Sequence, residues 1–340
     1  MNIPLTICIP TFNREAELRQ ALTSIRTVFG ASVSVVVSDN ASTDNTATLC
    51  QAYSDERVFR SFLYFRWNEN QGPDRNFLKA VELAETEYCL ILGSDDAFEP
   101  IARKVLEEAI SAQSGIALFA RRLYSRNMTR AIRVEQFWKK EAPAQYHLKN
   151  DDDYEEYIPN CTSLAGFFSY LSTILFRREL WIENNRVREF VGTAYVHVAA
   201  LLEGMRRQTS VTLRIYREPI IKCRMGNDFF LSLGHLRRFT IDWDGYEKLA
   251  ETFFPNRPFI LTQLLDHQAS LQSLAALRYH LTKADDITSI RYVGLRLKAC
   301  SWGQWAMYRW AMLSLIPMFI LTWLYTRSQM EKDNALFSGK

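Results

Sequence analysis

The chain has 340 residues, of which 48% are hydrophobic and 23% charged; this balance is typical of a folded globular protein and excludes a disordered chain. The formal net charge of only +3 offers no basic surface for nucleic acid. Six scattered cysteines without a CxxC pair argue against a disulfide framework or a zinc site. That cysteine pattern, together with an N-terminus that lacks the features of a signal peptide, predicts a cytoplasmic protein.

Four short runs of β-branched and aromatic residues predict buried strands at 5–9, 33–37, 61–65 and 88–92. The segments 14–29 and 73–84 carry apolar residues at spacings of three and four, which is typical of amphipathic helices. Pro73 stands where the second of these helices begins. The alternation of strands and helices predicts an α/β fold with an open, mostly parallel sheet flanked by helices.

Short polar side chains follow three of the predicted strands, in the segments 10–14, 38–46 and 93–97. The carboxyl ends of parallel strands meet at one edge of a sheet, where open α/β sheets bind their ligands. We therefore expect these three loops to converge on one site.

The later part of the chain is less regular. Residues 121–160 are charged and loop-rich, and the acidic run Asp151–Asp153 is interpreted as a solvated loop or a helix start. Helical patterns fill most of 236–340. Within them, 310–326 is uncharged and flanked by tryptophans and arginines, which favours a helix lying on a membrane surface. A buried core helix and a membrane-spanning helix are the other interpretations of that segment.

Three motifs stand in the same order and spacing as in a known family: ICIPTFNREAELRQALTSI (7–25), VVSDNASTDNT (36–46) and NENQGPDRNFLKAVELAETEYCLILGSDDAF (68–98). Together they resemble the nucleotide-sugar-binding half of family 2 glycosyltransferases, which have the GT-A fold. The stretches GFFSYLSTILFRRELW, VGTAYVHV and KCRMGNDFF, within 166–230, resemble more narrowly the abequosyltransferase-like branch of bacterial O-antigen synthesis.

The resemblance implies a GT-A domain over 1–235, with a nucleotide-sugar-binding half (1–115) and an acceptor half (116–235). A helical, membrane-associating region would follow at 236–340. The implied reaction moves a sugar from a nucleotide-sugar donor to a lipid-linked oligosaccharide at the inner face of the plasma membrane, with Mg²⁺ or Mn²⁺ as cofactor. The narrower resemblance implies a CDP-linked dideoxyhexose, such as CDP-abequose, as the donor.

Two other functions remain open on the sequence. A nucleotidyltransferase shares the α/β sheet and paired acids, but it normally has a glycine-rich phosphate loop after the first strand, and PTFNRE contains no glycine. A non-catalytic nucleotide- or sugar-binding relative would account for the lack of the ED motif that usually supplies the catalytic base.

Asp95 and Asp96 are the strongest candidates for chemistry. A nucleoside diphosphate leaving group gains negative charge as the glycosidic bond breaks, and carboxylate-bound Mg²⁺ or Mn²⁺ offsets that charge. By resemblance Asp96 is the metal ligand and Asp95 a catalytic and donor-binding contact. The other interpretation is that the pair caps the next helix.

By resemblance, the remaining donor contacts come from the other loops. Pro10, Thr11 and Asn13 match the loop that lines the nucleoside. Asp39 matches the acid that binds the pyrimidine base, and a carboxylate can accept a hydrogen bond from uracil N3–H or cytosine N4–H₂. Arg75 matches a basic position near the donor, although a solvated helical arginine explains it equally well.

The catalytic base and the late loop are less well defined. His197 lies where the ED motif is usual and is the candidate base, since a neutral imidazole serves as a base near neutral pH. A buried core histidine is the other interpretation. Asn227 and Asp228 match a loop that closes over the diphosphate, and a plain turn is the alternative.

Overall fold

The computed structural model describes residues 2–227 and 235–268. Its strands are β1 (Leu5–Thr11), β2 (Ser34–Asp39), β3 (Ser61–Arg66), β4 (Tyr88–Ile91), β5 (Ala97–Phe98), β6 (Ile116–Tyr124), β7 (Ala131–Glu135), β8 (Gln145–Leu148), β9 (Ile174–Arg177) and β10 (Val211–Arg224). Its helices are α1 (Glu15–Phe29), α2 (Thr46–Glu56), α3 (Pro73–Glu82), α4 (Ala102–Ser111), α5 (Asp151–Tyr157), α6 (Asn185–Arg188), α7 (Val196–Arg206), α8 (His235–Phe253) and α9 (Pro258–Gln268). The four strands and two helices predicted in the first hundred residues are confirmed.

All the described strands join one sheet with the order β3-β2-β1-β4-β9-β6-β10-β5, to which β7 adds beside β6 and β8 beside β10. Strands β1 to β4 are mutually parallel, as predicted. The second half is mixed, so the prediction of a mostly parallel sheet was wrong there: β9 runs antiparallel to both β4 and β6. The reason is local, because the 3₁₀ segment Leu171–Thr173 lies at the carboxyl end of β4 and β9 starts from it, running back along the sheet.

Two hydrophobic layers cover the sheet. One layer packs α1, α2 and α4 against the sheet, and the predicted apolar positions of α1 are all buried in it: Leu18, Leu22, Ile25 and Phe29. The other layer packs α3, α7 and α8 on the opposite face. Strands β1, β2 and β4 are buried along their whole length, as expected of strands covered on both faces.

Helices α8 and α9 belong to the second layer. Trp243 and Tyr246 are almost completely buried. A Cβ at Gly245 would lie 2.2 Å from Cδ2 of Tyr195, so only glycine allows α8 this close to the start of α7. The predicted boundary at 235 coincides with the first residue of α8, and the division into domains remains a prediction.

The predicted membrane-associating segment 310–326 lies outside the described residues. Within 2–227 and 235–268, no helix has both the length and the apolar character that a membrane crossing requires. The acidic run Asp151–Asp153 does begin a helix, as one interpretation held. Asn150 caps α5 through a capping box with Asp153.

Candidate active site

A cleft of about 480 Å³ opens where the predicted loops converge, at the carboxyl ends of β1, β2 and β4. The second half of the chain supplies its other wall, from β6, the segment 169–172 and the end of β10. Its lining includes Pro10, Thr11, Phe12, Arg14, Asn40, Pro73, Asn76, Phe77, Gly93, Asp95, Asp96, Arg121, Tyr170, Leu171, Ser172, Arg224 and Asn227. The cleft is therefore built by both halves of the fold.

Asp95 and Asp96 lie side by side at the floor of this cleft. A Cβ added at Gly93 would meet Oδ1 of Asp95 and Oδ2 of Asp96, each at 3.1 Å, so both carboxylates fold back over the bare glycine. Helix α4 begins only at Ala102 and has no side-chain cap, which excludes the interpretation that this pair caps a helix.

Asp96 is 5% exposed, and its Oδ2 accepts hydrogen bonds from the Tyr170 hydroxyl and from Ser172 Oγ, both at 2.6 Å. Burial, and then the neighbouring charge of Asp95, raise the pKa of Asp96 to about 7. The positive charge of Arg121 offsets this rise in pKa only in part. A divalent cation would supply further positive charge.

The residues present fit Mg²⁺ or Mn²⁺. Two hard carboxylates face one small volume, and such ions take one or two carboxylates, completing their shell with waters and substrate phosphates. The described part of the chain contains no group of three His, Cys, Asp or Glu side chains that would form an all-protein cage. Asp96 and Asp95 are therefore the residues of the cleft that could hold such an ion.

Asp95 connects the loop after β4 to two other segments. Its Oδ2 lies 2.7 Å from Nη1 of Arg14 and accepts a hydrogen bond from Nδ2 of Asn227 at 3.2 Å. Arg14 also donates to the main-chain oxygen of Asn227, and Arg224 donates to that of Asp95. Two arginines thus lie next to the carboxylates, where they can also meet a diphosphate.

The residues predicted for the first loop have two different roles. Pro10 and Thr11 line the cleft, and Thr11 Oγ1 is buried without a hydrogen-bond partner in the described part of the chain. Asn13 points away from it and joins the loops after β1 and β2: its Oδ1 accepts from the main-chain N–H of Thr43 at 2.7 Å. Its φ of 50° is a left-handed conformation that asparagine tolerates better than most residues.

Asp39 lies beneath the cleft wall and is completely buried. Its Oδ1 accepts from the main-chain N–H of Ser42, and its Oδ2 accepts from the hydroxyl of Tyr64 at 2.7 Å. The next residue, Asn40, lines the cleft. The structure thus places Asp39 at the expected loop with both oxygens already bonded, and its contact with a base remains a prediction.

Arg75 and His197 do not line the cleft. Arg75 donates to Gln71 Oε1 and borders a separate depression on the other side of α3. His197 is 2% exposed, with Nε2 3.0 Å from the main-chain oxygen of Phe168; burial lowers its pKa to about 4. Its ring packs in a T-shaped arrangement with that of Phe77, which lines the cleft. Of the late-loop pair, Asn227 lines the cleft, and Asp228 lies outside the described residues.

Several cleft residues were missed on the sequence: Arg14, Asn76, Arg121, Tyr170 and Ser172. Two of them lie inside the quoted motifs PTFNRE and PDRNF, so the motifs themselves carried that signal. Asn76 is 3% exposed and donates to the main-chain oxygens of Thr11 and Ser38, which fixes the ends of β1 and β2 relative to each other.

Comparison with known proteins agrees with this fold. Residues 6–179 match the family model described as Glycosyl transferase family 2. The chain is 33% identical over 252 residues to the abequosyltransferase RfbV of Salmonella typhimurium, covering 74% of this chain and 75% of that protein. It is 27% identical over 224 residues to the GalNAc(5)-diNAcBac-PP-undecaprenol beta-1,3-glucosyltransferase of Campylobacter jejuni, covering 62% and 67% of the two chains.

Among solved structures, the fold is similar to that of S. aureus TarS 1-349 in complex with UDP-GlcNAc, with a TM-score of 0.55 at 15% identity over 92% of this chain and 88% of that one. The match to this family model, together with the fold, defines the class as a glycosyltransferase with a GT-A-like α/β fold. The chain belongs to glycosyl transferase family 2. Within that family its similarity places it with the abequosyltransferase-like branch.

Proposed function

We propose that this protein transfers a sugar from a nucleotide-activated donor to a saccharide acceptor, with Mg²⁺ or Mn²⁺ held by Asp96 and Asp95. The observation that carries the proposal is the pair of carboxylates closing over Gly93 in a cleft that both halves of the fold line. A bound Mg²⁺ or Mn²⁺ would offset the charge that develops on the diphosphate as the glycosidic bond breaks.

The side chains around the pair suit a diphosphate leaving group. Arg14 and Arg224 lie beside Asp95 and provide fixed positive charge in the cleft. Because the Arg14–Asp95 pair is already formed, Arg14 is held ready for a phosphate oxygen. The two halves of the cleft therefore provide leaving-group stabilisation from the protein itself.

For the donor we propose a CDP-linked dideoxyhexose. The similarity to a Salmonella abequosyltransferase supports a dideoxy sugar. The cleft itself offers apolar side chains among its polar ones, namely Phe12, Pro73, Phe77 and Leu171. A sugar that lacks two hydroxyl groups matches such a wall better than a fully hydroxylated hexose, because fewer polar groups lose their hydration.

For the acceptor we propose a lipid-linked oligosaccharide in O-antigen or other surface-polysaccharide synthesis, met at the inner face of the plasma membrane. The name of the Campylobacter relative includes an undecaprenol-linked saccharide, which supports a lipid-linked acceptor. The uncharged segment 310–326 of the sequence is the part that we propose to contact the membrane surface.

The first test is a calorimetric titration of the protein with UDP, GDP, CDP and TDP, each with and without Mn²⁺. We expect CDP to bind most tightly, and only with the metal. Asp96→Asn should abolish the metal dependence, whereas Asp55→Asn, an exposed acid on α2 bonded only to Gln51, should not. Metal-independent binding, or an unchanged response in Asp96→Asn, would contradict the metal site.

The second test measures CDP release from CDP-abequose with a lipid-linked saccharide acceptor. A transferase releases CDP at a useful rate only when the acceptor is present. A non-catalytic relative would bind the donor and release nothing, and a nucleotidyltransferase would release diphosphate from a nucleoside triphosphate instead. The three functions therefore give three different outcomes.

A further inference from the structure

Two hydroxyl groups from the second half of the chain hold the carboxylate of Asp96. The Tyr170 hydroxyl and Ser172 Oγ both donate to the same oxygen, Oδ2, at 2.6 Å. They belong to the segment SYLS, residues 169–172. Ser172 is 2% exposed, so its bond to Asp96 does not compete with water.

Both donors are themselves fixed in direction. The main-chain N–H of Gly93 donates to Ser172 Oγ at 2.9 Å, which leaves the serine proton to point at Asp96. The ring of Tyr170 lies 4.1 Å from the guanidinium carbon of Arg121, a cation–π contact. Arg121 is in turn held by Glu135, with Nη2 2.7 Å from Oε2. The whole chain of contacts therefore resists rotation of the Asp96 side chain.

The stoichiometry of these bonds constrains how Asp96 can bind a metal. A carboxylate oxygen has two lone-pair positions, and two hydroxyl donors use both of them on Oδ2. Only Oδ1 is then left for a cation. Asp96 is thus prepared to act as a ligand through one oxygen and is prevented from chelating through two.

We propose that Tyr170 and Ser172 are positioning residues that make Asp96 a one-oxygen metal ligand and so select Mg²⁺ or Mn²⁺ over Ca²⁺. The inference rests on the proposed function, since it assumes that Asp96 binds the metal. Mg²⁺ requires six ligands in near-octahedral geometry and keeps several waters, whereas Ca²⁺ takes six to eight oxygens and often a bidentate carboxylate. A fixed one-oxygen ligand suits the smaller ions.

The experiment titrates the full-length protein with Mn²⁺, alone and with CDP present, and follows free Mn²⁺ by paramagnetic resonance; Ca²⁺ is then added as competitor. Groups that orient a metal ligand typically change metal affinity by ~10–100-fold when removed. We therefore expect Tyr170→Phe and Ser172→Ala each to weaken Mn²⁺ binding by at least about tenfold. Because one lone-pair position on Oδ2 becomes free in each variant, Ca²⁺ should compete better in both variants than in the wild type.

Matched controls are Tyr146→Phe and Ser114→Ala, two buried hydroxyl groups near the opposite end of the sheet, beside the N-terminal parts of β10 and β6. Both controls should bind Mn²⁺ and Ca²⁺ as the wild type does. Tyr170→Phe keeps the ring and its contact with Arg121, so it decides the question even where Ser172→Ala does not fold.

The outcomes separate the two proposals. If Mn²⁺ binds the wild type and depends on Asp96, but Tyr170→Phe and Ser172→Ala change neither Mn²⁺ affinity nor Ca²⁺ competition, the positioning role is overturned and the proposed function stands. If Mn²⁺ does not bind the wild type, or binds equally well to Asp96→Asn, the metal site of the proposed function falls.

Discussion

Nη1 of Arg14 lies 2.7 Å from Oδ2 of Asp95, which joins the loop after β1 to the loop after β4 across the floor of the cleft. Both side chains are about one-fifth exposed, so the pair is open to a ligand that enters the cleft. A bound diphosphate would replace Asp95 as the partner of Arg14, because it carries more negative charge. Asp95 would then contact a cation or the sugar. The pair therefore prepares both groups for substrate.

Arg14→Ala should weaken binding of the nucleoside diphosphate by about tenfold or more, because one charge-assisted hydrogen bond to phosphate is lost. The free energy of unfolding should change by only ~1 kcal/mol, because partly exposed ion pairs contribute little to stability. Calorimetry and urea denaturation measure the two quantities.

The matched control for Arg14 is Arg26→Ala on helix α1, which Arg14 immediately precedes; its partner Glu56 is exposed and distant from the cleft. It should leave nucleotide affinity unchanged. Equal affinities in Arg14→Ala and the wild type would remove Arg14 from the donor site.

Asn76 should stabilise the edge of the cleft by holding the ends of β1 and β2 together. Its side chain bonds the main-chain oxygens of Thr11 and Ser38, the Ser38 hydroxyl and the indole N–H of Trp67. Asn76→Ala leaves several buried groups unpaired, at ~1–3 kcal/mol each, so the free energy of unfolding should fall by about 3 kcal/mol or more. Urea denaturation measures the loss; a change below ~1 kcal/mol, as expected for the exposed Asn68→Ala, would contradict the assigned role.

The sequence predicted the features that depend on residues close together along the chain. It did not predict those that depend on residues far apart along the chain. Strands β1 to β4 and helices α1 and α3 were predictable because each is set by local apolar periodicity, and Asp95 and Asp96 were predictable because they directly follow a buried strand. The contacts of Tyr170 and Ser172 with Asp96 join residues more than seventy positions apart through neutral hydroxyl groups. No local pattern reports such a contact. The antiparallel insertion of β9 was hidden for the same reason.

Arg75 and Arg14 differ in whether helical spacing could locate them. For Arg75 that spacing was present in the sequence but was not used in the prediction. On α3 the cleft-lining residues are Pro73, Asn76 and Phe77, at the spacing of one helix face. Arg75 falls between them, on the face that borders the separate depression. Helical spacing therefore distinguished Arg75 from the cleft residues, whereas Arg14 entered the cleft from a loop, where no periodicity applies.

Asp74 should make the protein less stable as the pH rises from about 4 to about 6. The carboxyl group is 1% exposed, and burial raises its pKa from 3.8 to about 6, although Oδ2 accepts from the main-chain N–H groups of Gly192 and Ala194. Between these pH values the folded state binds more protons than the unfolded state, so the stability that protonation contributes is present at low pH and lost through pH 6. The shift corresponds to about 3 kcal/mol.

The measurement for Asp74 is urea denaturation of the wild type and Asp74→Asn between pH 4 and pH 7. The difference in unfolding free energy between the two proteins should change by about 3 kcal/mol over that range, in favour of the variant as the pH rises. Comparison with Asp74→Asn cancels the contribution of Asp96, which both proteins share. A difference that is independent of pH would show that Asp74 is not protonated in the folded protein.

His197 is the remaining candidate base, and its surroundings favour a supporting role. A carbonyl oxygen only accepts, so Nε2 carries the proton donated to Phe168, and the lone pair is on Nδ1, which is buried without a hydrogen-bond partner in the described part of the chain. Because burial lowers the pKa of His197 to about 4, the ring is neutral and does not titrate between pH 6 and 8. We expect His197→Gln, which keeps a donor for Phe168, to preserve the shape of the pH profile of kcat/KM in that range.

The same depressed pKa gives an independent test of burial. Between pH 6.5 and about 4, His197 binds a proton in the unfolded state but not in the folded state. The wild type should therefore lose stability as the pH falls through this range, and His197→Gln should lose less. Urea denaturation of both proteins at pH 4.5 and pH 7 measures the difference.

The pH profile of kcat/KM decides the catalytic role. If its acidic limb disappears in His197→Gln while donor affinity is retained, the imidazole takes the acceptor proton and is the base.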